Sequence, residues 1–91
     1  MIVKYLPSYY RDLEREVAEL AEQLSKQLSD KEREWIDEWI AVGEYGLAVI
    51  VVMENLQKNR SEASDEVLNR VRELALRIGL DDEVNLYIPK A

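Results

Sequence analysis

The sequence predicts an all-α fold: a compact bundle of about four helices with short extended segments at the N- and C-termini. Apolar residues recur every three or four positions over most of the chain, as they do on one face of a helix. The 91 residues include only three glycines and two prolines, too few for the many turns of a β fold. Because 47% of the residues are hydrophobic, we predict a folded chain with one helical domain over residues 1–91.

The first two helices are delimited by clear end signals. The first is predicted over residues 8–28, after Pro7, whose missing N–H costs nothing at that position. Its apolar stripe consists of Leu13, Val17, Leu20, Ala21, Leu24 and Leu28. The second helix begins at Ser29, which forms a capping-box pattern with Glu32. It ends before Gly43, a residue that can adopt the left-handed conformation that closes many helices.

The middle of the chain permits two interpretations. Residues 47–53 are seven consecutive apolar residues, many of them β-branched, which is typical of a buried strand. We favour a helix over residues 44–59, because Glu54 and Lys58 then form an i,i+4 ion pair and a lone strand would lack a partner. The buried side is predicted to centre on Tyr45, Val49, Val52 and Leu56. The wide apolar arc indicates a central helix with neighbours on two sides.

A fourth helix is predicted between an N-cap at Ser64 and a C-terminal Gly79, with Leu80 in hydrophobic contact beyond it. Its first turn carries Asp65 and Glu66, which suit the positive end of the helix dipole. Its apolar face consists of Val67, Val71, Leu74, Ala75 and Ile78.

The C-terminal tail is predicted to be a short strand or an extended segment. Val84, Leu86 and Ile88 alternate with polar residues, which is the period of a strand. Leu76 lies opposite the apolar stripe of its helix, so we expect the tail either to cover Leu76 or to pair with residues 2–6. Leu76 is also a candidate contact for self-association.

Composition excludes several functions. The chain has no cysteine and no histidine, which removes thiol chemistry, Cys/His zinc sites and His-based catalysis. With 19 acidic residues, close carboxylate pairs are expected by chance. None of them lies in a catalytic motif, and the pairs are Glu16/Glu19, Glu34/Glu38 and Asp81/Asp82. We therefore expect no enzymatic activity, no cofactor and no metal. No apolar run is long enough for a membrane span and the start lacks a signal-peptide pattern, so we expect a cytoplasmic protein.

The net charge of -7 argues against direct nucleic-acid binding, which requires a basic surface. The segment 12–44 holds eleven acidic and four basic residues and so accounts for the entire net charge. Its most concentrated part, here called the acidic ridge, consists of Glu34, Asp37, Glu38 and Glu44. We predict that the first three share the helix face opposite the two tryptophans. A basic partner and simple solubility are equally good explanations of such a ridge.

Trp35 and Trp39 are four positions apart, next to Ile36 and Ile40. This spacing predicts that both indoles belong to the core of the bundle. The alternative is that they are anchors of a protein interface, where tryptophan is enriched.

Two stretches carry a resemblance to a known family. Residues 43–48 read Gly-Glu-Tyr-Gly-Leu-Ala and precede an apolar helix, which is followed by Ser-Glu-Ala-Ser at 61–64. The next helix ends with Leu-Arg-Ile-Gly-Leu at 76–80. This pattern, over residues 29–80, resembles the small all-helical immunity proteins of bacterial polymorphic toxin systems. It is most similar to the MafI-like family and to helical immunity proteins of contact-dependent growth inhibition.

The resemblance implies a cytoplasmic protein that binds one cognate toxin domain and neutralises it stoichiometrically. Such toxins are commonly nucleases, including tRNA-cleaving ones. A nuclease is basic where it grips phosphates, and an acidic inhibitor complements that surface. The acidic ridge is therefore our candidate toxin-binding site. The alternative function is a helical structural or regulatory module that self-associates as a homodimer.

Overall fold

Five α-helices follow one another in the computed structural model, which describes residues 7–59 and 63–89. They are α1 (Pro7–Gln23), α2 (Asp30–Ala41), α3 (Tyr45–Lys58), α4 (Asp65–Ile78) and α5 (Asp81–Tyr87). No strand occurs in these two ranges. The radius of gyration is 12.9 Å, close to the roughly 12 Å of a compact chain of this length. The predicted compact all-α fold is confirmed, but with five helices instead of about four.

α3 is the central helix. It contacts each of the other four helices, and Val49, Val52 and Met53 are fully buried. The helix predicted over 47–53 is therefore confirmed, and the alternative strand is wrong. The expected Glu54–Lys58 pair does not form; Lys58 Nζ lies instead 3.6 Å from Glu32 Oε2 on α2.

α1 is shorter than predicted, because it ends at Gln23 and the chain passes through turns over 24–28. Leu24 and Leu28 remain buried in the core, as their place in the apolar stripe predicted. In these turns Gln27 makes two hydrogen bonds to Asn55 of α3. Its side-chain N–H donates to Asn55 Oδ1, and its backbone carbonyl accepts from Asn55 Nδ2.

The predicted helix ends are confirmed at four positions. Ser29 and Glu32 form the reciprocal bonds of a capping box, and the Ser64 side chain accepts from the N–H of Val67. Gly43 and Gly79 both adopt the left-handed conformation, with φ of +79° and +92°.

The C-terminal tail is a helix, so the predicted strand or extended segment is wrong. Val84 and Ile88 are one helical turn apart and both are buried against the bundle. Leu86, which made the pattern look alternating, is exposed to solvent. Three acids, Asp81–Glu83, occupy the first turn, where they interact favourably with the helix dipole.

Two predictions about the ends of the bundle have separate outcomes. Leu76 is half exposed on α4, so the tail does not cover it. The extended N-terminal segment and its pairing through residues 2–6 lie outside the described residues.

None of the five helices has the length and apolar character that a membrane crossing requires.

Candidate protein-interaction surface on α2

α2 lies at the edge of the bundle and buries little of its own surface. Ile36 is its one fully buried side chain, and the Glu32 side chain is nearly buried beside it. On one flank, Arg33 Nη2 lies 3.0 Å from the Glu22 carboxylate of α1. The other flank lies along α3. The outward face of α2 is therefore left to solvent.

All four residues of the acidic ridge are exposed: Glu34 and Glu38 on this outward face, Asp37 towards the α1 flank and Glu44 in the turn after α2. Arg33 Nε lies 3.6 Å from Asp37 Oδ1, one turn away on the same helix. The carboxylates of Glu34, Glu38 and Glu44 form no ion pair with any residue in 7–59 or 63–89. Three negative charges are thus free to interact with another molecule.

The tryptophans belong to the surface, so their assignment to the core is wrong. Trp35 is 44% exposed and Trp39 is 36% exposed. An α-helix turns about 100° per residue, so both indoles are rotated to the same side of the inward-pointing Ile36. The inward line of α2 runs through Glu32, Ile36 and Ile40 instead. The sequence did not reveal this buried line, because its first residue, Glu32, is a carboxylate with polar neighbours on both sides.

Glu38 is a neighbour of Trp39, whereas Asp37 lies on the opposite flank of α2, beside Arg33. The prediction that the ridge residues of α2 lie opposite the tryptophans is therefore wrong for Glu38. Glu38, Trp39, Ala41 and Val42 line a shallow notch in the surface, here called the Trp39 notch. Val42 is 68% exposed. A carboxylate therefore lies directly beside an exposed indole and an exposed branched aliphatic side chain.

Trp35 lies further along α2, in a groove between α2 and α3. The groove is lined by Glu32, Trp35, Val51, Glu54, Gln57 and Lys58. Lys31 Nζ lies 6.0 Å from the centroid of the Trp35 ring, at the outer limit of a cation–π contact. This end of α2 thus carries both signs of charge, whereas Glu38 is the one charged residue that lines the Trp39 notch.

The turn after α2 brings the backbone of Glu44 to Trp39, while Glu44 itself lines a separate hollow with Tyr10 and Arg77. The N–H of Glu44 donates to the Trp39 carbonyl at 2.8 Å, and the N–H of Gly43 donates to the Ile40 carbonyl at 3.0 Å. These two bonds form a Schellman motif, which requires the left-handed conformation that Gly43 adopts. The backbone between Trp39 and Glu44 is therefore fixed.

A polar cluster of Gln27, Ser29, Glu32 and Asn55, of which Glu32 and Asn55 are buried, fixes the other end of α2. Asn55 Nδ2 donates to Glu32 Oε1 and to the Gln27 carbonyl, each at 3.0 Å, and Asn55 Oδ1 accepts from Gln27 Nε2 at 2.9 Å. Burial opposes ionisation of Glu32, but its bonds from Ser29 and Asn55 and the charge of Lys58 outweigh it. The pKa of this carboxyl is therefore below its ordinary value. Asn55 was missed in the sequence, where its signal is an amide three and four positions after the apolar Val52 and Val51, on the buried side of the helix.

Within the described ranges, no group of three or more acidic side chains is placed to hold a metal ion. No family model, curated protein or solved structure matches the chain. The surface itself combines free carboxylates, two indoles and an exposed aliphatic side chain on a helix held at both ends.

Proposed function

We propose that this protein neutralises a cognate toxin domain by binding it stoichiometrically through the outward face of α2. One observation carries the proposal: the carboxylate of Glu38, which has no ion-pair partner in the described residues, lies beside the exposed indole of Trp39. Tryptophan is enriched at the residues that dominate binding energy in protein interfaces. Carboxylates around such anchors select a basic partner and increase its association rate.

The type of partner follows from the sign of the charge. A nuclease presents basic residues where it holds phosphates, so an acidic helix complements that surface. The identification of the partner as a toxin, and of the toxin as a nuclease that cleaves tRNA or another nucleic acid, is supported by the resemblance of residues 43–48 and 76–80 to immunity proteins. The protein then acts in the cytoplasm, by occupying the toxin and without chemistry of its own.

The gene immediately upstream provides the direct test. We would co-express its product, or the C-terminal domain of that product, with the untagged protein. The proposal predicts an equimolar complex on size exclusion and survival of cells that produce the active toxin domain. An upstream product that neither forms a complex nor harms cells would contradict the proposal.

Self-association is the second candidate, because α4 and α5 expose two leucines. Leu76 is 50% exposed and Leu86 is 66% exposed, on helices that pack against each other. Large exposed apolar residues of this kind can form the centre of a homodimer. Sedimentation equilibrium of the native protein and of Leu76→Asp measures this: a concentration-dependent dimer that the substitution abolishes would favour the second candidate.

A further inference from the structure

The Trp39 notch has the shape and charge of a receptor for one cationic side chain. We propose that it binds an arginine or lysine of a partner polypeptide, with the aliphatic stem against Trp39 and Val42 and the cation beside Glu38. The inference rests on the proposed function only for the identity of the partner as a toxin domain.

The lining of the notch supports this assignment. Trp39, Ala41 and Val42 provide apolar walls, and Glu38 provides the one charge among the lining residues. Long basic side chains bury their methylene stems on apolar surface while keeping the charged head near a counter-ion. A guanidinium also stacks on an indole face, and the Trp39 ring is accessible for such stacking.

The surrounding charges specify where on α2 the cation binds. Glu38 has no ion-pair partner in the described structure, so a cation in the notch does not displace an existing pair. The Schellman turn places the backbone of Glu44 against Trp39, and the Glu44 carboxylate is exposed and likewise unpaired. Two negative charges therefore lie at this end of the helix.

The Trp35 end of the surface has mixed charge, because Glu32 and Glu54 line its groove together with Lys58. Lys31 lies near the Trp35 ring, and Lys58 lines the groove beside it. The exposed indole of Trp35 is suited to an apolar side chain of the partner. The partner segment is one that carries a basic residue next to a large apolar residue, oriented with its basic end at the Trp39 notch.

The experiment is a selection of peptides from a random dodecapeptide library displayed on phage, with the folded full chain as the target. It needs no toxin. We expect enrichment of sequences that pair arginine or lysine with an aromatic or aliphatic residue. The matched targets are Trp39→Ala and Glu38→Gln, and the controls are Tyr10→Ala, another exposed aromatic residue, and Glu73→Gln on α4.

The proposal predicts that Trp39→Ala weakens binding of an enriched peptide by about tenfold or more, as at an interface anchor. Glu38→Gln should weaken it about threefold or more at low salt, with the difference shrinking as salt rises. Both control variants should bind like the native protein. Two-dimensional ¹H–¹⁵N NMR provides a second readout, because the chain has only two tryptophans and the Trp39 indole N–H signal should shift on binding.

Enriched peptides that lack basic residues, or that bind Trp39→Ala as tightly as the native protein, would overturn this inference. So would a selection that enriches no sequence. The proposed function fails by a different result, which is absence of a complex with the upstream gene product. If peptides bind at the notch but the upstream gene product does not bind, the inference about the notch stands and the proposed toxin-binding function is rejected.

Discussion

The side-chain amide of Asn55 donates a hydrogen bond to the carboxylate of Glu32, 3.0 Å away, across the contact between α3 and α2. Asn55 is only 1% exposed and Glu32 only 9% exposed. Asn55 also bonds to the backbone of Gln27 before α2. Together with the fully buried Ile36 and the partly buried Ile40, this polar contact positions α2 on the bundle.

Removal of the Asn55 amide should destabilise the fold strongly. Asn55→Ala removes the side-chain bond of Gln27 and one bond of the nearly buried Glu32 carboxylate, which keeps its bond from the Ser29 N–H. We expect a loss of about 2–4 kcal/mol in unfolding free energy. The matched control is Asn59→Ala, which removes one bond to the Asn55 carbonyl at the end of α3 and should cost less than about 1 kcal/mol. Urea denaturation measures both, and equal losses would contradict the role of Asn55.

Stability should fall in acid through the same cluster. The pKa of Glu32 is lowered in the folded state, so its contribution is fully present above the ordinary value of 4.5 and is lost as pH falls through the folded pKa. Glu32→Gln should therefore be less stable than the native protein by about 1 kcal/mol at neutral pH. The difference should shrink below pH 4.5. Urea midpoints across this pH range measure it, and a pH-independent difference would contradict the prediction.

The core of α2 should depend on Ile36 and not on the tryptophans. Ile36 is fully buried, so Ile36→Ala should cost about 3–4 kcal/mol. Trp39→Ala removes a larger side chain that is partly in solvent, and we expect a loss of only about 1–2 kcal/mol, below the range of a buried indole. Thermal or urea unfolding gives the order of the two losses. The reverse order would return Trp39 to the core.

The helices could be predicted from the sequence where end signals and apolar period agreed. The capping box of Ser29, the N-cap of Ser64 and the glycines at 43 and 79 are local features, so they act as the sequence suggests. The tail was misread because three alternating residues fit a strand as well as a helix. Only the burial of Val84 and Ile88 on one face distinguishes the two.

The acidic residues of the candidate site could be predicted from the sequence, but the exposure of its two tryptophans could not. The acidic ridge is visible because exposed carboxylates are the usual state of Glu and Asp. The exposure of Trp35 and Trp39 was not predictable, because it depends on the rotation of α2 about its axis. That rotation is determined by Ile36 and by the Glu32–Asn55 bond, and the latter joins residues 23 positions apart.

The turn that carries Glu44 should depend on one glycine. At Gly43 φ is +79°, where an L side chain is strained, so Gly43→Ala should cost about 1–2 kcal/mol. Gly46→Ala is the matched control. The added Cβ would meet Ile78 at an ordinary 3.5 Å, and alanine favours the helix, so we expect a gain of about 0.5–1 kcal/mol. Unfolding free energies of opposite sign are the expected result, and a tolerated Gly43→Ala would contradict it.

The central claim is that the ridge carboxylates attract a basic toxin domain, and association kinetics test it most directly. The test variant changes Glu34, Asp37 and Glu38 to lysine. The control makes the same change in net charge elsewhere, on α4 and α5, at Glu66, Glu73 and Asp82. Circular dichroism establishes that both variants are folded before they are compared.

Stopped-flow mixing with the upstream-encoded toxin domain at low salt gives the association rate constants. We predict that the ridge variant associates about tenfold or more slowly than the control variant, because local charge steers the encounter. The native rate should fall as salt rises, since screening shortens to about 8 Å at physiological ionic strength. A ridge variant that associates as fast as the control variant would contradict the account and place the recognition surface elsewhere on the bundle.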